Sequence, residues 1–210
     1  VNYLKVMKKH SGMRPQDIVI ILKIIADSKR QGVWKDLSLE QISPPPFQLN
    51  LALEPPNNKS IATSLQISEA EVSESLRRSH YAGLILDLKL KLINKKALLD
   101  FLPYGLKYVF PARPGALVRG IPTAQSAPPL NNLIVSDEHF VWEYAEGTVR
   151  GQLIEPLYPT VPAIVLNDAN LYELLALVDA IRTGSARTVR LASEGLEKRI
   201  LSSWGVTKTS

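Results

Sequence analysis

Three carboxylates and two guanidiniums share the stretch SIATSLQISEAEVSESLRRS, Ser60 to Ser79: Glu69, Glu71 and Glu74 against Arg77 and Arg78. At helical spacing, the chemistry open to these types is first of all ion pairing. Glu74 reaches Arg77 at i+3 and Arg78 at i+4. Ser68 and Glu71 have capping-box spacing, in which the hydroxyl accepts from the Glu71 N–H and the carboxylate reaches back to the Ser68 N–H. Glu69 is favoured at the same helix start by the helix dipole. The second chemistry is recognition of nucleic acid. A guanidinium pairs with a phosphate or a guanine edge, and a carboxylate accepts from cytosine N4 in the major groove. Lys89, Lys91, Lys95 and Lys96 follow within a few residues, and ammonium groups neutralise phosphates.

Other chemistries find little support. The chain has no cysteine, which excludes disulfides, thiolate nucleophiles and Cys-based metal sites. His10, His80 and His139 are scattered, without metal-ligand spacing. No G-x-S-x-G, Walker A or G-x-G-x-x-G pattern occurs. The expectation is therefore a protein that is not an enzyme and needs no cofactor or metal. Arg182, Arg187 and Arg190 cluster around the last helix junction, either as a site for an anion, nucleic acid or a partner's acidic face, or as ordinary charged helix ends.

The elements that must position these residues can be read from periodicity. Arg14-Pro15-Gln16-Asp17 opens a helix, with proline in the first turn and Asp17 near the positive end of the dipole. Its apolar face is Ile18, Ile21, Leu22, Ile25 and Ala26. A short helix over 34–42 follows. Then comes the proline-rich insertion Ser43 to Asn58, which carries a possible strand at 47–51. Helices are expected over 59–67 and 69–80. Leu84 to Ile93 alternates at period two, so a strand or a short, irregular hairpin is expected, with lysines outward. Lys95 to Phe110 begins as helix and is disturbed at Pro103 and Gly105.

Pro111 to Asn132 reads as extended chain. His139 to Ile154 reads as a β-hairpin turning at Ala145-Glu146-Gly147. Asn167 or Asp168 caps a long helix that ends at Gly184. Ser185 opens another, and the two form an αα-hairpin.

The pattern IAxxLxISxxEVSxSLxRxxxAGLI, followed by a lysine-bearing strand, resembles the recognition-helix-to-wing passage of bacterial winged helix-turn-helix regulators, MarR-like proteins among them, over about residues 14–95. Gln66 departs from it, because glycine is common there. The Ser43 to Asn58 insertion and the C-terminal half depart too. The resemblance implies double-stranded DNA as ligand and a homodimer. By position, Ser73, Glu74, Arg77 and Arg78 face the groove, while Lys89, Lys91, Lys95 and Lys96 touch the backbone.

Composition frames this reading. Of the net charge of +5, residues 1–110 carry +6 and residues 111–210 carry −1. Residue content is globular, no apolar run is long enough to span a membrane, and no signal-peptide pattern is visible. The expectation is an α+β, cytoplasmic regulator of transcription. A winged helix-turn-helix DNA-binding domain occupies 1–110. A proline-rich segment and a smaller α/β region for dimerisation or a protein partner occupy 111–210. The alternative is a winged-helix interaction module or the antitoxin-like subunit of a two-protein system. A second rival is an enzyme of unknown class in the C-terminal half.

Overall fold

The computed structural model describes residues 12–31 and 56–201. The helix expected at 34–42, the strand at 47–51 and most of the 43–58 insertion lie outside them. The fold is mixed α+β. Helix α1 (Pro15–Gln31) is followed by α2 (Asn58–Leu65) and α3 (Glu69–Tyr81), then by a small ribbon of β1 (Ile85–Asp87) and β2 (Leu92–Ile93). Helices α4 (Lys95–Tyr104) and α5 (Leu106–Val109) come next, then strands β3 (Leu117–Pro122), β4 (Phe140–Glu143) and β5 (Val149–Leu153). Helices α6 (Val161–Ile164), α7 (Ala169–Thr183) and α8 (Ala186–Leu201) complete the described chain. No described helix is long and apolar enough to cross a membrane.

Local chemistry accounts for most boundaries. The side chain of Asn57 caps α2 by accepting from the Ser60 N–H, and Ser68 caps α3 by accepting from the Glu71 N–H at 3.1 Å. Between these helices Gln66 takes a left-handed conformation at φ 55°, the geometry for which glycine is usually selected. Pro103 sits inside α4, and Gly105 separates α4 from α5. The leucine–lysine alternation folds as a short hairpin, Ile85 opposite Ile93, with an irregular register.

Two expectations for the C-terminal half are corrected. Pro111 to Asn132 is not simply extended crossing chain, because it contains β3, the strand on which the others pair. And β4 and β5 do not form a hairpin with one another. They run parallel, Phe140 opposite Gln152, and each is antiparallel to β3, closing a three-stranded barrel. At some of the barrel's contacts there is no room for a side chain. A Cβ on Gly120 would lie 1.8 Å from the Trp142 carbonyl oxygen, and one on Gly147 would lie 2.4 Å from the Gly120 backbone. Glycine at both positions lets the backbones touch, where the sequence suggests a turn at Gly147 and extended chain at Gly120.

Helix α7 is the hub, with every residue from Leu174 to Arg182 buried. It packs against α8, as the αα-hairpin reading expects, and also against α1. Asp168 caps it, accepting from the Leu171 N–H at 3.2 Å. The same Asp168 pairs at 2.9 Å with Lys23 of α1, whose ammonium also pairs with Asp27 at 2.6 Å. One contiguous apolar core runs from Ile18 to Ile200, across the division at residues 110 and 111. The Thr160 hydroxyl donates to the Leu65 carbonyl at 2.8 Å, a further link between the two parts.

Candidate nucleic-acid interface

The candidate interface is the outer face of α3 with the β1–β2 ribbon beside it. Val72, Ser75, Leu76, Arg78 and Ser79 form the buried face of α3. Glu69, Ala70, Glu74, Arg77 and His80 are exposed, with Ser73 half-buried among them. Two small buried residues, Ser75 and Ser79, lie on the inner face of α3, which packs against α1. Both hydroxyls lack a hydrogen-bond partner among the described residues.

Arg78 does not face outward. Its side chain is 8% exposed and clamps Asp17 at the start of α1. Nε donates to the carboxylate at 3.0 Å, and Nη2 donates at 2.7 Å to Asp17 and 2.6 Å to Glu71. The placement of Arg78 against DNA is therefore corrected: adjacent helical residues point about 100° apart, and the inner stripe takes Arg78 while Arg77 stays outside. The hydrogen bonds from Arg78 to Asp17 raise its pKa, keeping the guanidinium charged.

The capping box is also only half made. Ser68 performs its part, but the Glu71 carboxylate bonds Arg78 and takes a 3.2 Å hydrogen bond from the Gln16 amide. Burial works to raise the Glu71 pKa. Hydrogen bonds from Arg78 and Gln16, with the charges of Arg78 and Arg14, outweigh it and hold the carboxyl below its usual range. Glu74 accepts from Arg77 across one helical turn in an exposed pair. Two of the three acids that should repel a phosphate are thus held by arginine.

The remaining expected contacts divide. Ser73 is drawn inward, donating to the Glu69 carbonyl at 3.0 Å and accepting from Asn58 at 3.0 Å. Lys89 is exposed near the tip of the ribbon. Lys91 is half-buried in a left-handed turn at φ 49°, and burial lowers its pKa. Lys95 is half-buried at the start of α4. Lys96 is exposed and bonded to Asp100 at 2.8 Å, which raises its pKa. The ribbon is not purely basic, since Leu86, Leu88 and Leu90 are 42%, 38% and 37% exposed.

Residues missed from sequence are those that hold α3 from behind: Arg14 (3.8 Å from Glu71), Gln16 and Asp17. A signal for Asp17 was present. It precedes Ile18 and lies at i−4 from Ile21 and i−8 from Ile25, on the apolar stripe of α1, where a carboxylate needs a buried partner. Lys59, exposed in the first turn of α2, was also passed over.

In the C-terminal half, Arg182 is likewise committed. It donates to the Phe110 carbonyl at 2.9 Å, the Glu155 carbonyl at 3.1 Å and Asp179 at 2.6 Å. Asp179 also accepts from Trp142 at 2.6 Å and Thr123 at 3.0 Å. Burial nevertheless dominates and raises its pKa. Arg190 pairs with Glu194 at 2.7 Å, so the three arginines do not converge on one anion site. Among the described residues no group of His, Asp and Glu is placed to hold a metal. No protein-family model, curated protein or solved structure matches the chain.

Proposed function

We propose that the chain is a sequence-specific double-stranded DNA-binding regulator. Helices α2 and α3 act as a helix-turn-helix, α3 enters the major groove, and the β1–β2 ribbon serves as the wing. The observation that carries the reading is the joint arrangement of α2, the left-handed Gln66, α3 and a following ribbon with Lys89 exposed. Arg77 and Glu74 are the side chains offered to base edges, with Ser73 at the margin of that face. Lys59, Lys89 and Lys96 are offered to phosphates, and Lys91 and Lys95 lie closer to the protein body. Arg78 acts indirectly, by fixing the angle of α3 on α1. A homodimer on a two-fold site is part of the proposal.

The exposed leucines of the ribbon favour a second reading, a protein-interaction module or antitoxin-like subunit. Three partly exposed leucines on one short ribbon suit a protein partner better than a phosphate backbone.

Fluorescence anisotropy across a salt series separates the two. DNA binding predicts preference for one duplex over a scrambled one. It also predicts weaker binding by Arg77→Ala, and a salt slope reduced by about one unit in Lys89→Ala. A folded protein that binds no duplex at low salt overturns the regulator reading.

A further inference from the structure

A cleft of about 570 Å³ opens where α1 begins, beside the end of α5 and the chain entering α6. Its volume falls in the range of small-molecule sites. Pro15, Phe110, Pro111, Leu157 and Tyr158 give it largely apolar walls. Among the described residues its one lining cation is Arg182, whose side chain is 5% exposed. Nε of Arg182 is used by the Phe110 carbonyl and Nη1 by the Glu155 carbonyl and Asp179. That leaves Nη2 without an acceptor among the described residues, on a guanidinium held from two sides.

We infer that this cleft binds a carboxylate carried on a small apolar body, the carboxylate accepting from Nη2 of Arg182. A guanidinium whose other nitrogens are fixed is a preorganised donor, and its hydrogen bond to an anion is charge-assisted. Charge selects a monoanion over a phosphate. With Asp179 paired to Arg182 and Glu155 exposed beside the cleft, the hold on the ligand is the directed Nη2 hydrogen bond and not net charge, and a dianion is disfavoured more than a monoanion. The flat surfaces of Phe110 and Tyr158 suit a ring or short alkyl body. This inference does not depend on whether α3 reads DNA.

The test is a titration followed by two-dimensional amide NMR, with phenylpropionate as probe and its neutral isostere phenylpropionamide as control. The acid should give saturable shifts at Gln16, Leu157 and Tyr158 and bind at least about tenfold more tightly than the amide. Glu155→Gln keeps the backbone carbonyl that Arg182 uses and removes the rim charge, so it should tighten the acid about threefold and leave the amide unchanged. Pro111→Trp, at an exposed position, should fill the cleft and abolish the shifts. Equal binding of acid and amide, shifts that map elsewhere, or no saturation by about 10 mM overturns the inference.

Discussion

Arg78 and Arg182 are both buried, and each holds a buried aspartate, yet the two clusters are built differently. Arg78 joins two helices far apart in sequence and spreads its donors over Asp17 and Glu71. Arg182 pairs within its own helix, and its other bonds go to backbone carbonyls. Around Arg78, hydrogen bonds and charge overcome burial, and Glu71 is held below its usual pKa. Around Asp179, burial overcomes one guanidinium and two neutral donors, and the carboxyl is raised. A guanidinium therefore does not settle a carboxylate's titration by proximity. What decides is how much water the carboxylate keeps and how many charged donors it receives.

The largest effect that could break this comparison is expected at Arg78. Arg78→Ala strands Asp17 without its cation and should cost about 3–5 kcal/mol in urea unfolding. Arg77→Ala, removing only an exposed pair, should cost at most about 0.5 kcal/mol. Similar losses for the two would mean that Arg78 is not a structural clamp.

Next is the opposite pH dependence of the two clusters. Glu71 has a depressed folded pKa, so its contribution is present above the unfolded value of about 4.3 and is lost as pH falls through the folded one. Asp179 has a raised folded pKa. The folded state then holds the proton more tightly than the unfolded state. Its contribution is greatest below about 3.9 and declines as pH rises through the folded pKa. Urea unfolding at a series of pH values should lose the acid-side decline in Glu71→Gln and the opposite slope in Asp179→Asn. Two slopes of the same sign would refute the contrast.

Smaller effects sharpen it. Ser75→Ala removes a buried hydroxyl that has no partner among the described residues, and should leave stability unchanged or raise it by up to about 1 kcal/mol. Gln66→Gly relieves a left-handed residue at some cost in chain entropy, for a net gain of about 0.5 kcal/mol by thermal unfolding. A loss at Gln66 would mean that its side chain contributes more than its backbone costs.

Much of the helical frame was legible because its signals are local. The cap at Ser68, a cap at Asn167 or Asp168 (it is Asp168) and the helix break at Gly184 each follow from a few neighbouring residues. The three-stranded barrel was not legible. Whether β4 and β5 run parallel depends on each of them pairing antiparallel with β3, and alternation within either strand carries no information about that. Arg78 failed for a related reason. Arg77 and Arg78 look equivalent in sequence, and only the position of α1 decides which is drawn inward. The half-used capping box shows the same limit, since Glu71 was assigned by spacing to one partner and is claimed by another that is distant in the chain.

Helix α1 has a consequence for modularity. It braces α3 through Asp17 and anchors α7 through Lys23 and Asp168. A fragment ending near residue 110 would keep α2, α3 and the β1–β2 ribbon but expose the side of α1 that faces α7. Such a piece should not travel as an independent cassette. In gene fusions or domain shuffling, α1 would have to move with both of its neighbours, and evolution would be expected to transmit these elements as one inherited block.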